Sequence, residues 1–348
     1  IDLLAEWLAP MGFHVEIQEV GADGGKANLI ATRGKGPGGL VLAGHTDTVP
    51  FDEGRWQSNP LSIDERDNRL YGLGSTDMKG FFPLAIAAAR AFNDTPLQQP
   101  LILLATADEE SSMNGARALA AAGKPRARAA IIGEPTALRP IRMHKGIMME
   151  AVRVTGQAGH SSNPALGNSA LEGVHAVIGD LMAYREQLRD RYSNGMFQVA
   201  YPTLNLGCIH GGDSPNRICG RAELHFDLRM VPGHDNDTLR AEIGERINRV
   251  AEARGLEIEL RSLISDVAPF EQSADSELVQ LAEKLTGHSA EAVAFATEAP
   301  FLQQLGMETI VMGPGSIDRA HQPDEYLELD QMQPCIALLT QFIRHYCL

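Results

Sequence analysis

Residues 101–112, LILLATADEESS, join a run of apolar residues directly to three acids. The apolar run is typical of a buried β-strand, and Asp108, Glu109 and Glu110 follow where that strand is expected to end. Neighbouring side chains of a strand point to opposite faces, so Glu109 and Glu110 are predicted to diverge. Two adjacent glutamates at one strand end can therefore contact two different groups.

Other apolar segments, far apart in the chain, end in a similar way. GGLVLAGHTD reaches His45 and Asp47, and AAIIGEPT reaches Glu134. TIVMGPGS leads through a Gly-rich turn towards His321. Ligand sites in open, mostly parallel sheets gather at the carboxyl ends of the strands. We therefore predict that these polar side chains meet at one edge of a sheet.

Helix and strand patterns alternate along the chain, which predicts an α/β fold. Residues 147–261 instead follow the order βαββαβ, which is typical of a ferredoxin-like unit. The 348 residues provide enough length for two domains. We predict a discontinuous catalytic domain of residues 1–146 and 262–348, with a mostly parallel mixed sheet flanked by helices. Residues 147–261 would form a small domain inserted into this larger one.

Composition narrows the function classes. The chain has a formal net charge of −15, which argues against nucleic acid and anionic membranes as partners. No apolar run approaches the roughly 18 residues that a membrane span needs. The few cysteines form no CxxC pair, which favours a reduced, cytoplasmic location. The chain begins at Ile1 inside a helix pattern, so we expect further residues to precede it.

One set of side chains combines two imidazoles with three carboxylates. The members are His45, Asp77, Glu110, Glu134 and His321. These ligand types suit zinc, cobalt or manganese. The charge of three carboxylates nearly matches that of two divalent ions. Five side chains cannot give each ion three separate ligands, so one carboxylate must bridge the two ions. Asp77 lies in the Gly-rich turn YGLGSTDMKG, which can reach between two ions.

Two further acids can support such a centre. Asp47 lies two residues after His45 and can accept its free imidazole N–H, although it can also simply cap a turn. A carboxylate beside metal-activated water can take the water's proton and pass it to a leaving amine. Spacing alone allows either Glu109 or Glu110 to be this base, and a pair of glutamates is also common at a solvated helix start.

These motifs resemble the M20 family of dinuclear metallo-aminohydrolases, and the match runs nearly end to end. HxD, GxxDMKG, DEE and GEP occur in this order, which makes them specific jointly although each is weak alone. The segments that carry the resemblance are GHTDTVPFDEGRW, YGLGSTDMKGFF, TADEESSMNGA, IIGEPT, GHSSNPALGNSA, YPTLNLGCIHGGDSPNRICG, TEAPFLQ and GPGSIDRAHQPDEYLE. The resemblance implies hydrolysis of the acyl amide of a small N-acyl amino acid or dipeptide.

The resemblance also implies a role for each site residue. His45 and Glu134 would bind one divalent ion, zinc or cobalt, and Glu110 and His321 the other. Asp77 would bridge the two ions and precede a cis peptide bond, Asp77–Met78. Asp47 would support the ring of His45, and Glu109 would act first as the general base and then as the general acid.

The family further implies that residues 147–261 are a lid and dimerisation domain. In the homodimer, the partner's lid domain would supply a histidine to the reaction intermediate. GQAGHSS places that residue at His160, which on its own pattern is equally a surface or turn histidine. Asn216 and Arg229 would hold the substrate's α-carboxylate, and arginine suits this task through bidentate hydrogen bonds. A non-catalytic descendant would have lost a ligand or the base, and none is missing from the sequence.

Overall fold

The structure, a computed structural model, describes residues 1–21 and 24–348 and forms two compact units. The first unit comprises Ile1–Arg142, Glu271–Ala292 and Thr297–Leu348. The second comprises Met143–Phe270 and Val293–Ala296. Each helix in the described ranges is too short or too polar to cross a bilayer.

The α-helices are α1 Asp2–Leu8, α2 Phe81–Arg90, α3 Asn114–Ala122, α4 Ala170–Arg191, α5 Asn236–Arg254, α6 Glu277–Thr286, α7 Ala299–Gln304 and α8 Met332–Cys347. The strands are β1 His14–Val20, β2 Lys26–Arg33, β3 Leu40–His45, β4 Asp64–Arg66, β5 Arg69–Tyr71, β6 Leu101–Thr106, β7 Ala129–Pro135, β8 Ile141–His144, β9 Gly146–Thr155, β10 Gly159–His160, β11 Thr203–Gly211, β12 Arg217–Ile218, β13 Arg221–Met230, β14 Glu257–Ser262, β15 Phe270–Glu271, β16 Glu291–Val293, β17 Glu308–Gly313 and β18 Tyr326–Glu328. Short 3₁₀ helices cover Ala9–Met11, Pro164–Leu166, Ile317–Arg319 and Leu329–Gln331.

The large sheet has the strand order β1-β2-β6-β3-β7-β17-β8-β15, with β16 paired to β8. Its centre is parallel, because β3 pairs in parallel with β6 and β7, and β17 with β7. The pairs β1–β2, β2–β6 and β17–β8 are antiparallel. The predicted mixed α/β fold is confirmed, and the parallel character is confined to the middle of the sheet.

The central strands are apolar throughout because both faces of the sheet are covered. Every residue of β3, β6 and β7 is buried, as expected for parallel strands between helical layers. Helices α2 and α8 contribute fully buried aromatic side chains to this core, including Phe81 and Phe342. The resulting rigid platform presents the carboxyl ends of its strands at one edge.

The second unit has the predicted βαββαβ order. Its antiparallel sheet runs β11-β13-β9-β14, and α4 and α5 follow β9 and β13. Alternate residues of β13, beginning with Ala222 and Leu224, are buried in the second core. Residues 263–270 extend the unit beyond the predicted insert, because Leu263 and Val267 bond to the backbone of β9 at Met149 and Ile147.

Candidate metal centre

Three central strands deliver acidic or imidazole side chains at the same edge of the large sheet. β3 ends at His45, Glu134 lies near the end of β7, and Glu109 and Glu110 follow β6. β3 is parallel to β6 and β7, and His45 is aligned with Thr106. Because parallel strands end at a common edge, this register places the four side chains near one another.

Asp77 lies between the two imidazoles. Its Oδ1 is 3.0 Å from His45 Nε2, and its Oδ2 is 3.2 Å from His321 Nε2. The Asp77–Met78 peptide bond is cis, as the family resemblance implied. A carboxylate with one oxygen directed at each imidazole has the arrangement that a bridging ligand requires.

Each imidazole has a second carboxylate neighbour. Glu134 Oε1 lies 3.8 Å from His45 Nε2, and Glu110 Oε1 lies 3.1 Å from His321 Nε2. His45 and Glu134 are buried, whereas the side chain of His321 is 52% exposed. The structure therefore groups the five predicted ligands as two pairs that share Asp77.

The side chains in this group fit divalent cations. His45, Asp77 and Glu110 each offer a ligand atom within 4.8 Å of the other two. Glu134 and His321 join the group through the contacts just described. Imidazole nitrogens and carboxylate oxygens are ligands that zinc and cobalt accept. The set is large enough to give each of two ions a histidine, a carboxylate and a share of Asp77.

The electrostatics also favour cations. Burial, followed by the charge of Glu134, raises the pKa of Glu109 well above its usual value. Burial and the charge of Asp77 raise the pKa of Glu134 in the same way. Buried carboxylates that face one another ionise only with difficulty, and bound cations remove that difficulty.

The imidazoles respond to the same acids. Hydrogen bonds with Asp77 and Glu110 raise the pKa of His321 to about 10. Burial lowers the pKa of His45, but Asp77 and Glu134 outweigh burial and raise it. For Asp77, burial acts to raise the pKa, but hydrogen bonds with His321 and His45 outweigh burial and hold the pKa below its usual range. Positive charge is thus stabilised where metal ions would bind.

Asp47 supports the site through atoms other than those predicted. The Nδ1–H of His45 donates to the backbone carbonyl of Asp47 at 3.0 Å, while the carboxylate Oδ1 is 3.7 Å away. The Asp47 carboxylate instead accepts the backbone N–H groups of Glu109 and Glu110, at 3.2 and 3.1 Å. Residues 46–50 follow β3 without regular secondary structure, and the backbone carbonyl of Asp47 faces the ring. The carbonyl fixes the tautomer, and the carboxylate anchors the glutamate pair.

Asp108, for which the sequence indicated no role in the site, organises the loop after β6. It is buried in the left-handed conformation, with φ 66°. Its carboxylate accepts from Lys26, from Ser111 Oγ at 2.6 Å, from Ser112 and from Asn114 Nδ2 at 2.9 Å. These bonds fix the path of the backbone through Glu109 and Glu110. The clustering of short polar residues after Asp108 was the available sequence signal.

Comparison with known families and proteins decides the relationship. Residues 41–345 match the family described as Peptidase family M20/M25/M40. The chain belongs to this family. It is 50% identical over 347 residues to the acetylornithine deacetylase of Klebsiella pneumoniae, covering 100% of this chain and 90% of the relative. The corresponding enzyme of Salmonella arizonae is 49% identical with the same coverage.

Solved structures of more distant proteins share the fold. A tripeptidase from Staphylococcus aureus has a TM-score of 0.77 at 17% identity, covering 99% of this chain and 91% of that one. Human carnosine dipeptidase 1 has a TM-score of 0.68 at 18% identity, covering 98% and 89% respectively. At this identity the likeness establishes the M20 fold alone.

One buried acid near the M20 centre was not anticipated. Glu298 is 2% exposed, and its Oε2 lies 2.8 Å from the Thr106 hydroxyl. Burial raises its pKa to about 7, and its Oε1 has no hydrogen-bond partner among the described residues. Glu298 lies in the quoted motif TEAPFLQ, where an acid before an apolar helix was the signal. His45 lies close enough to lower the pKa of Glu298 electrostatically, against the larger effect of burial.

The predicted lid residues all lie in the second unit of this M20 protein. His160 is exposed and pairs with Arg217 across the short ladder of β10 and β12. Its Nδ1 is 2.8 Å from Ser162 Oγ. The carbonyl of Asn216 accepts the backbone N–H of Ser161 at 3.1 Å. His160 and Asn216 are therefore neighbours.

Arg229 lies elsewhere in the same unit. It is near the end of β13, and its Nε donates to both carboxylate oxygens of Asp227, at 3.0 and 2.9 Å. A strand rises roughly 3.3 Å per residue, so Arg229 is about 26 Å from Arg221 at the start of β13, the end nearer Asn216 in the chain. Asn216 precedes β13 and Arg229 lies near its end. Their binding of the substrate's α-carboxylate stays a prediction.

Proposed function

We propose that this protein hydrolyses N2-acetyl-L-ornithine to L-ornithine and acetate, a reaction that would serve arginine biosynthesis. The observation that carries the proposal is the 50% identity, over 347 residues, to acetylornithine deacetylases. Every predicted ligand and the base are present in this chain, and the ligands lie together. The substrate is a small N-acyl amino acid, and no nucleic acid or membrane takes part.

Two divalent ions, zinc or cobalt, would complete the centre. His45 and Glu134 would hold one, Glu110 and His321 the other, and Asp77 both. When bound, the ions supply Lewis acidity and lower the pKa of water. The backbone carbonyl of Asp47 keeps the Nδ1–H of His45 occupied, which leaves Nε2 as the ligand atom.

Glu109 would move the proton. It lies after β6, directly before the predicted ligand Glu110, and is 9% exposed. Its backbone N–H donates to the Asp47 carboxylate. As the base, it would take a proton from the attacking water while the oxygen bonds to the acetyl carbon. It would then give that proton to the nitrogen as the C–N bond breaks. The second water proton passes to the released amine, so ornithine leaves with an ammonium group and acetate remains.

His160 and Asn216 would act from the partner subunit of a homodimer. Their proximity in this chain means that one subunit would present both together. An imidazole N–H donor directed at the developing oxyanion lowers the barrier. Arg229, near the end of β13, would join Asn216 in holding the substrate's α-carboxylate. The second unit would serve as the lid that carries these residues.

A substrate panel tests the proposal against its nearest alternative, another N-acyl amino acid or dipeptide. The purified protein with two equivalents of zinc or cobalt is assayed on N2-acetyl-L-ornithine, N-acetyl-L-methionine and N-succinyl-L,L-diaminopimelate. We expect kcat/KM to be at least tenfold higher for acetylornithine. A higher kcat/KM for either competitor would reassign the substrate while leaving the site chemistry intact.

For the partner-supplied histidine, a His160→Ala subunit is mixed with a Glu109→Ala subunit. Each variant alone is expected to be inactive, and the mixed dimer should recover part of the activity because one complete site forms. Failure to recover activity with both variants folded would contradict the shared site.

A further inference from the structure

The bridging position depends on a carboxylate that is remote in sequence. Glu325 is 2% exposed and lies just before β18. Its Oε1 accepts the backbone N–H of Thr76 at 2.8 Å and of Asp77 at 2.9 Å. Its Oε2 accepts the N–H of Gly74 at 3.0 Å. Both oxygens are therefore used in binding the loop that carries Asp77.

The loop is shaped to hold an anion. Gly74 has φ 80°, a left-handed conformation that allows successive N–H groups of the loop to converge. A Cβ at Gly74 would lie 2.3 Å from Lys79 Cε and 3.0 Å from Thr48 Cγ2, so a side chain there would also be crowded. The concave backbone needs a negative partner, and Glu325 is the one that fills it.

Further bonds join the same two segments. The carbonyl of Glu325 accepts the N–H of Gly72 at 3.0 Å, and the carbonyl of Tyr326 accepts the Thr76 hydroxyl. β18 also pairs with β5, which ends at Tyr71 immediately before the loop. His321 lies four residues before Glu325, so one short segment carries both a ligand and the anchor of the bridging loop.

We infer that Glu325 is a positioning residue for the metal centre: it fixes the backbone of Asp77 so that the two carboxylate oxygens face His45 and His321. This inference rests on the proposed two-metal function. Burial raises the pKa of Glu325, whereas the three amide donors lower it. Outer partners of metal ligands typically change metal affinity by 10–100-fold when mutated.

Glu325→Gln tests the inference, with Glu328→Gln as the matched control three residues later in the same segment. A glutamine presents one oxygen, and its NH₂ group must face an N–H donor of the loop. Glu328 is half-exposed, its side chain accepts from Gln331 Nε2 at 3.3 Å, and it lies 4.0 Å from Arg69 Nη2. Metal-free proteins are titrated with cobalt(II), which is followed by visible absorption, and the thermal midpoint of each metal-free protein is measured alongside.

We expect wild type and Glu328→Gln to bind two cobalt equivalents with the same spectrum. In Glu325→Gln the weaker equivalent should bind at least tenfold less tightly, with an altered absorption band. A purely structural role would lower the thermal midpoint and leave the spectrum of the bound metal unchanged, and that result would overturn the inference. If Glu325→Gln does not fold, Glu325→Asp, which keeps the charge but shortens its reach, is judged by the same criterion.

The wild-type titration separates the two possible failures. Fewer than two cobalt equivalents bound to wild type would contradict the two-metal centre itself. Two equivalents bound equally well by wild type and Glu325→Gln, with identical spectra, would contradict only the positioning role.

Discussion

The two units bury carboxylates in opposite ways. In the second unit Glu150 is fully buried, and Arg240 donates to it from Nε at 3.0 Å and from Nη2 at 2.8 Å. Ser262 Oγ adds a further bond at 3.0 Å. In the first unit Glu109 and Glu134 are buried. Burial and the charge of Glu134 raise the pKa of Glu109, and burial and the charge of Asp77 raise the pKa of Glu134. A buried charge is costly unless it is paired.

The difference distinguishes a structural acid from a functional one. The positive partner of Glu150 is covalently part of the chain, so the pair is complete on folding. The imidazoles of His45 and His321 balance only part of the negative charge of the acids at the edge of the large sheet. Perturbed groups gathered in this way mark functional sites, and here the missing charge is that of divalent cations.

The largest effect is expected when the adjacent glutamates are changed separately. Glu109→Gln should lower kcat about 10²–10⁴-fold with two metals still bound, because only proton transfer is removed. Glu110→Gln should lose metal as well as activity. Metal content and kcat, measured on both variants, check this. Wild-type kcat in Glu109→Gln, or the reverse pattern of metal loss, would exchange or abolish the two roles.

In the second unit the expected effect falls on stability. Arg240→Met leaves Glu150 buried without a cation, which should cost about 3–5 kcal/mol of unfolding free energy. The double variant Arg240→Met with Glu150→Leu should recover much of this loss, since no charge is stranded. Urea denaturation of the metal-free proteins measures both. A single variant as stable as wild type would show that Glu150 does not depend on Arg240.

pH should reveal the unmatched acids of the first unit. Glu109 and Glu134 have raised pKa values, so the folded state holds their protons and loses stability as pH rises above their usual range. His321, whose pKa is raised from its usual value of 6.5 to about 10, contributes stability below pH 6.5 that is lost as pH rises towards 10. The thermal midpoint of the metal-free protein should therefore fall between pH 6 and 9.

Metal should reverse that trend, because ligands bind in their deprotonated forms. The stabilisation by zinc should grow with pH over the same range. A thermal midpoint of the metal-free protein that rises from pH 6 to 9 would contradict the assigned directions.

The smallest effect is expected at an ion-pair cluster on the second unit. Glu223 accepts from Arg153 Nε, Arg261 Nη2 and His225 Nε2 at 2.8–2.9 Å, and these bonds lower its pKa to about 2. The cluster is partly exposed, so Glu223→Gln should cost about 0–1 kcal/mol. Urea denaturation beside Arg240→Met gives the comparison, and a loss equal to that of the Arg240 variant would show that burial does not set the scale.

The parts of the site that could be predicted from sequence are those with a local signal. His45, Glu110 and Glu134 each follow or end an apolar strand, and strand periodicity indicates where such a strand ends. The βαββαβ order of the second unit was visible for the same reason. The sequence predicted that the side chains of Glu109 and Glu110 diverge. Only the family resemblance indicated which of them is the base and which the metal ligand.

The parts that could not be predicted depend on contacts between distant segments. Glu325 binds residues about 250 positions earlier in the chain, and no periodicity reports that pairing. The sequence indicated that Asp47 supports His45, but the backbone carbonyl makes this contact in place of the carboxylate. The direction of the backbone after a strand is not encoded by residue spacing.

The most direct test of the central claim joins metal content to turnover of N2-acetyl-L-ornithine. The protein is stripped with a chelator, reloaded stepwise with zinc or cobalt, and assayed at each stoichiometry. We predict that activity is lost on stripping and returns to its maximum at two equivalents per chain. Undiminished hydrolysis by the stripped protein, or no hydrolysis with two equivalents bound, would contradict a dinuclear acetylornithine-hydrolysing centre.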